Sequence, residues 1–117
     1  MNKESKALAK IVIEALEDKK AENITVYDIS SVSALGDYFI IANGTNKSQI
    51  QALADNVDEK INEIGMHAKQ IEGYDKANWI LLDYRDVIVH IFDPENRDYY
   101  SLERLWRDAE EISIDEI

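Results

Sequence analysis

Apolar residues recur along this chain with two different periods, and their alternation predicts where helices and strands lie. Residues 4–20 and the stretch between Asn46 and Gly65 repeat apolar residues at i, i+3, i+4 and i+7, the spacing of one helix face. The two stripes are Leu8, Ile11, Val12, Ala15 and Leu16, then Ile50, Leu53, Ala54, Val57, Ile61 and Ile64. Asn46 suits an N-cap, Gln49 follows it as in a capping box, and Gly65 suits the C′ position. The pattern therefore predicts two amphipathic helices.

Shorter segments have the composition of β-strands. β-branched and aromatic residues dominate 23–30 and 37–44, and a weaker signal of the same kind covers 68–73. Further on, Asp93 and Pro94 form a helix-start signal with proline at the first helical position. The apolar stripe of that last, short helix is Leu102, Leu105, Trp106 and Ala109.

Two apolar runs, 79–84 and 87–92, are separated only by Arg85 and Asp86. This spacing predicts a β-hairpin with a two-residue turn. The cross-strand pairs would be Tyr84 with Val87, Leu82 with Val89, Ile80 with Ile91, Asp83 with Ile88, Leu81 with His90, and Trp79 with Phe92.

The predicted elements follow the order αββαβββα, which is typical of a two-layer α+β domain with a small mixed β-sheet packed against helices. A length of 117 residues suits one hydrophobic core, so a single domain over 1–117 is predicted. Residues 110–117 are acidic, and we expect this tail to fray.

The predicted hairpin has two faces of different character. One is mostly branched aliphatic and suits packing under helices: Ile80, Leu82, Tyr84, Val87, Val89 and Ile91. The other mixes aromatic, apolar and ionisable side chains: Trp79, Leu81, Asp83, Ile88, His90 and Phe92. Aromatic residues with a few polar groups are enriched at protein interfaces, so this second face is predicted to face outward and bind a partner. The alternative is a third layer, such as the last helix with Trp106, that covers it.

The chain is strongly acidic. It carries 13 Lys and Arg against 24 Asp and Glu, a formal net charge of −11. Direct binding to nucleic acid is disfavoured because it depends on basic residues that neutralise phosphates, whereas a basic protein surface is a natural partner. Acidity that serves only solubility is the alternative explanation. Cysteine is absent, and no segment has the pattern of a signal peptide or membrane span, which together favour the cytoplasm.

Candidate chemistry is sparse, and we predict no catalytic residue, cofactor or metal. Residues 44–48 lie between a strand and a helix but lack the spacing of a phosphate-binding loop. Asp83 and Asp86 flank a turn, and no Asp-x-Asp pair is present for a metal-dependent transferase. His67 and His90 are far apart in sequence and belong to no zinc motif.

Three segments resemble the ribosomal silencing factors, also called the Iojap family. They are GDYFIIANGT (36–45), ALADNVDEKI (52–61) and IEGYDKANWILLDYRDVIVHIFDPENRDYYSLERLW (71–106), and together they cover most of the chain. The third is the most specific, because its Trp, Asp, His and Phe residues and the YYSLERLW ending stand in the family's order and spacing. Arg85 departs from the family, which commonly has glycine there. If the turn needs a positive φ at this position, either the arginine is strained by about 1 kcal/mol or a different turn is used.

The resemblance implies a non-catalytic factor with a fold like a nucleotidyltransferase domain that lacks the metal-binding carboxylates. Such a factor would bind the large ribosomal subunit through its fourteenth protein, a basic protein, and block joining with the small subunit when nutrients are scarce. Family members that look dimeric when free make a homodimer possible. The predicted partner-binding residues are Trp79, Leu81, Asp83, Asp86, Ile88, His90 and Phe92.

Two other functions stay open at this stage. One is a nucleotidyltransferase-like enzyme that uses Asp83, Asp86 and His90 around a metal. The other is an adaptor that forms a homodimer through the mixed hairpin face.

Overall fold

The computed structural model describes residues 3–30, 36–95 and 110–114. Within these ranges the chain forms two helices and six strands. They are α1 (Lys3–Asp18), β1 (Glu22–Asp28), β2 (Tyr38–Asn43), α2 (Lys47–Glu63), β3 (Gln70–Glu72), β4 (Trp79–Asp83), β5 (Val87–Phe92) and β6 (Glu110–Ile112). The first seven elements occur in the predicted order, and Pro94 and Glu95 are helical, as the helix-start signal predicted. The apolar stripe predicted for that helix lies outside the described residues.

The six strands form one mixed sheet in the order β3-β4-β5-β2-β1-β6. Its central strands, β2 and β5, are parallel, with Tyr38 opposite Val87 at one end and Asn43 opposite Phe92 at the other. The remaining neighbours are antiparallel. The predicted α+β class with a small mixed sheet is confirmed.

Both described helices contribute to one apolar core on the same face of the sheet. The buried members of their predicted stripes are Leu8, Val12, Ala15, Leu16, Ile50, Leu53, Ala54, Val57 and Ile61. Ile64 departs from the prediction with 52% of its surface exposed, because it is the C-cap residue where α2 ends. Gly65 follows it with a φ of +84°, the left-handed C′ conformation that glycine favours.

The start of α2 is capped by side chains, as the sequence predicted. The Asn46 side chain accepts a hydrogen bond of 2.9 Å from the Gln49 backbone N–H. Gln49 differs from a standard capping box, since its Oε1 accepts from the Thr45 backbone N–H at 2.6 Å and not from that of Asn46. Its amide also donates to the Lys19 and Lys20 carbonyls, so this one side chain ties the start of α2 to the end of α1.

The predicted fraying of 110–117 is wrong for its first part, because residues 110–112 form β6. Val26, Tyr27 and Asp28 pair with Ile112, Glu111 and Glu110, and this pairing covers the outer edge of β1. Ile112 and Ile114 are partly buried against the main core. A strand edge with unpaired N–H and C=O groups gains hydrogen bonds from any compatible segment, so local acidity did not prevent pairing here.

Candidate partner-binding surface

The hairpin has the predicted register at every paired position of its strands. Trp79 lies opposite Phe92, and Asp83 lies opposite Ile88. The turn closes with a 3.0 Å hydrogen bond from the Tyr84 N–H to the Val87 carbonyl. Arg85 has a φ of +70°, and its N–H donates to Asp83 Oδ1 at 2.8 Å. Asp83 therefore stabilises the turn as well as contributing charge beside it.

The turn is held against the start of β2. The Asp86 carbonyl accepts hydrogen bonds from the N–H groups of Asp37 at 2.7 Å and Tyr38 at 3.0 Å. Gly36 permits this approach, since a Cβ there would lie 2.7 Å from the Arg85 carbonyl oxygen. The hairpin tip is thus fixed to the body of the sheet through backbone contacts.

The aliphatic face of the hairpin lies under the helices, as predicted. Its six side chains are almost fully buried in the main core: Ile80, Leu82, Tyr84, Val87, Val89 and Ile91. Tyr84 keeps its hydroxyl satisfied by donating to Asp58 Oδ1 on α2 at 2.8 Å. Burial, together with this hydrogen bond and the Asp58 charge, raises the pKa of Tyr84 far above its ordinary value of 10.

The mixed face is less open than predicted. His90 is 5% exposed, Phe92 is fully buried, and Ile88 is also buried, so the prediction of an outward orientation is wrong for these three. Their neighbours on the same face come from β1 and β2, and together they form a second apolar cluster. Its other members are Tyr27, Ile29, Phe39 and Ile41, with Trp79 and Leu81 packed against it. Trp79, Leu81 and Asp83 are half-buried, and Asp86 is exposed.

We define the accessible residues Trp79, Leu81, Asp83 and Asp86 as the hairpin surface. Trp79 is its largest side chain, and its ring stacks on Phe92 with centroids 5.2 Å apart and an interplanar angle of 26°. Gly73 allows the preceding loop to pass the start of β4, because a Cβ there would overlap the Trp79 carbonyl oxygen. Sequence reasoning did not identify this contribution of Gly73, although the glycine lies within the segment that resembles the family.

A hydrogen bond links Trp79 to His90. The indole Nε1–H donates to His90 Nδ1 at 2.8 Å, and because an indole nitrogen can only donate, Nδ1 must be unprotonated. The imidazole is therefore neutral with its proton on Nε2, and burial lowers the pKa of His90 to about 3. Nε2 is buried and has no hydrogen-bond partner among the described residues, a situation that typically costs about 1–3 kcal/mol.

The residues proposed for metal chemistry are not assembled for it. Asp83 accepts from the Arg85 N–H, and His90 Nδ1 is occupied by the Trp79 indole. Among the described residues, no group of three or more His, Cys, Asp or Glu side chains could hold a metal ion. Within the same described residues, no helix combines the length and the apolar composition of a membrane span.

Comparison with known proteins gives consistent matches over most of the chain. A family model described as "Ribosomal silencing factor during starvation" matches residues 2–117. The Ribosomal silencing factor RsfS of Bacillus subtilis (strain 168) is 41% identical over 110 residues, which cover 94% of this chain and 93% of that protein. A crystal structure of a protein from Chromobacterium violaceum is similar with a TM-score of 0.86 and 39% identity, over 91% of this chain and 87% of that one.

A more distant relative extends the comparison to another kind of organism. It is the protein named Mitochondrial assembly of ribosomal large subunit protein 1 of Mus musculus, 26% identical over 99 residues. The match covers 82% of this chain and 43% of the mouse protein.

Proposed function

This chain belongs to the family of ribosomal silencing factors, and from that premise we propose that it binds the large ribosomal subunit through the basic fourteenth protein of that subunit. Docked there in the cytoplasm, it blocks joining with the small subunit by occupying the joining surface, and so represses translation when nutrients are scarce. The mechanism is steric and needs no turnover, only a stable interface of about 800 Å² per partner.

The observation that carries this proposal is the match of residues 2–117 to the family. We propose the hairpin surface as the docking site. A half-exposed tryptophan supported from below by a buried aromatic ring is the kind of residue that dominates binding energy at interfaces. The name of the mouse relative refers to the large ribosomal subunit, which agrees with the choice of partner.

Charge supports a basic protein as the docking site. Asp83 and Asp86 lie at the tip of the hairpin, and neither forms an ion pair within the described residues. The net charge of −11 opposes close approach to ribosomal RNA and favours an exposed cationic protein patch. Complementary charge mainly sets orientation and association rate, while the apolar side chains Trp79 and Leu81 supply affinity.

Co-sedimentation with isolated large subunits tests the docking surface. Replacing Trp79 with alanine removes the largest accessible side chain, and the expected loss is about 2 kcal/mol or more, roughly thirtyfold in affinity. Ile64→Ala is a matched control, since Ile64 is exposed and apolar but belongs to the end of α2 and not to the hairpin surface. Equal binding by Trp79→Ala and the unchanged protein would remove Trp79 from the interface.

The charge contribution is tested with substitutions that preserve the turn. Asp83→Asn keeps an oxygen to accept from the Arg85 N–H, so it removes the charge without removing that hydrogen bond. Combined with Asp86→Asn, it should weaken association with the purified fourteenth protein severalfold while the melting temperature changes little. Unchanged association would show that the partner does not face these carboxylates.

Subunit joining provides the functional readout. Large and small subunits are mixed, and a sucrose gradient then separates joined ribosomes from free subunits. We expect fewer joined ribosomes when the unchanged protein is present. With Trp79→Ala in its place, joining should be normal. If the protein binds large subunits and joining proceeds normally, the steric mechanism is wrong even though the partner is correct.

A further inference from the structure

We propose that His90 is a positioning residue that fixes the orientation of the Trp79 indole before a partner binds. The proposal rests on the proposed function, since it requires Trp79 to contact the partner. It adds a role for a residue that is itself too buried to dock.

Two contacts of Trp79 constrain the orientation of its indole in different ways. Stacking on Phe92, with centroids 5.2 Å apart, sets the plane of the ring. Stacking by itself does not distinguish the two ring orientations that differ by a half-turn about the Cβ–Cγ bond, because the terminal torsion of an aromatic side chain has broad, roughly two-fold preferences. The 2.8 Å hydrogen bond from Nε1 to His90 Nδ1 selects one of these orientations. The same edge of the indole therefore always faces the sheet, and the other edge always faces outward.

His90 is well placed to act as a fixed reference. It lies in the middle of β5, where its backbone is paired with Leu81 on one side and Ile41 on the other. Its imidazole also packs on Phe39, with ring centroids 4.2 Å apart. A side chain held by two neighbouring strands and an aromatic ring has little freedom of its own, so the hydrogen bond transfers that rigidity to Trp79.

The lack of a partner for Nε2 within residues 3–30, 36–95 and 110–114 supports a specific use of Nδ1. A leucine or phenylalanine at position 90 would fill the second apolar cluster without placing a donor such as Nε2–H inside it, although either would remove the acceptor of the Trp79 indole. Packing alone therefore does not explain a histidine here, whereas accepting a hydrogen bond from Trp79 does. Fixing an interface side chain in its bound orientation reduces the entropy lost on association, which is the physical benefit of preorganisation.

Paired substitutions at position 90 separate positioning from packing. In asparagine the amide oxygen branches from the same carbon as Nδ1 does in histidine, so His90→Asn can accept from the indole in nearly the same place. His90→Leu and His90→Phe fill the cluster but accept nothing. Each variant is studied as the full chain, with circular dichroism to verify folding at the working temperature; the phenylalanine variant retains a ring for the case where leucine does not fold.

Two measurements are made on each variant. The first is affinity for isolated large subunits, where we expect a three- to tenfold loss for the leucine and phenylalanine variants and at most a twofold change for asparagine. The second is the indole N–H resonance of Trp79, recorded with ¹⁵N-labelled tryptophan in a Trp106→Phe background. Its hydrogen-bonded position should persist in the asparagine variant and shift upfield in the other two.

The outcomes distinguish this proposal from the proposed function. If Trp79→Ala weakens binding as expected but the leucine and phenylalanine variants bind like the unchanged protein, His90 does not position Trp79 and the docking site stands. If all three position-90 variants lose affinity equally while the asparagine variant keeps the indole resonance in place, positioning is also overturned. If Trp79→Ala binds normally, the docking site itself is wrong.

Discussion

At the scale of single residues, Arg85 combines an ordinary side chain with a backbone conformation that favours glycine. Its φ of +70° lies in the left-handed region, where the Cβ of an L-residue is crowded. The hydrogen bond from its N–H to Asp83 and the contacts of Asp86 with β2 hold the turn in this shape. The surrounding structure thus maintains a local strain that the turn sequence does not relieve.

Replacing Arg85 with glycine should stabilise the protein. Relief of the left-handed strain outweighs the greater chain entropy of glycine in the unfolded state, so the expected gain in the free energy of unfolding is about 1 kcal/mol. Chemical denaturation with urea measures it. Arg85→Ala is the matched control, since it removes the same charge but keeps a Cβ and should give no such gain. A gain of equal size in both variants would trace the effect to charge.

His90 makes stability depend on pH. Its pKa is about 3 in the folded protein and about 6.5 when unfolded, so between these values the unfolded chain binds a proton that the native protein does not. Stability from this group is complete above pH 6.5 and declines as the pH falls towards 3. At pH 5 the loss should be about 2 kcal/mol. Urea titrations of the unchanged protein and His90→Phe at pH 7.5 and 5.0 measure the difference, and an identical pH response would contradict it.

At the scale of elements, the hairpin was predictable and its surroundings were not. The register from Trp79 to Phe92 follows from a two-residue separation and alternating side chains, both of which are local in sequence. His90 and Phe92 are buried in a cluster that includes Phe39 and Ile41, which the parallel pairing of β5 with β2 brings beside them from about 50 residues away. A local sequence pattern contains no information about neighbours that are so distant in sequence. The hairpin face with the composition of an interface is therefore partly buried in the interior.

β6 was also not predictable from its local sequence. Three residues with two adjacent glutamates carry almost no strand signal by themselves. They pair because β1 presents a free edge and because Ile112 and Ile114 can reach the main core. Tertiary context decided the structure where local preference indicated none.

Removing the apolar contacts of this segment should therefore destabilise the protein. The double substitution Ile112→Ser and Ile114→Ser exposes the edge of the core, and we expect a loss of about 2 kcal/mol in the free energy of unfolding for two partly buried isoleucines. Glu111→Gln is the control, since Glu111 is exposed, and should change stability little. Urea denaturation gives both values. An unchanged midpoint in the double variant would mean that β6 contributes no stability.

At the scale of the whole molecule, we expect the acidic charge and the apolar residues of the hairpin surface to have separate roles in the proposed docking. The net charge of −11 acts over roughly a Debye length, about 10 Å at 0.1 M salt. Packing of Trp79 against a partner, in contrast, requires van der Waals contact. Charge should guide the approach to a basic protein, and the aromatic contact should set how long the complex lasts.

Salt should therefore slow association much more than it speeds dissociation. Raising potassium chloride from about 50 to 300 mM at constant magnesium should lower the association rate with large subunits severalfold, because the attraction is screened. Surface-immobilised large subunits allow both rates to be measured. Asp83→Asn with Asp86→Asn should show a smaller salt effect. Association that accelerates with salt would indicate that repulsion from ribosomal RNA outweighs attraction to the basic protein.

The pairing of β1 with β6 also constrains how this protein is made. Residues 26–28 are synthesised long before residues 110–112, yet each segment is the other's partner in the finished sheet. While translation proceeds, β1 has an open edge that can pair with neighbouring nascent chains. The sheet becomes complete only after residue 112 has emerged from the ribosome that is making it.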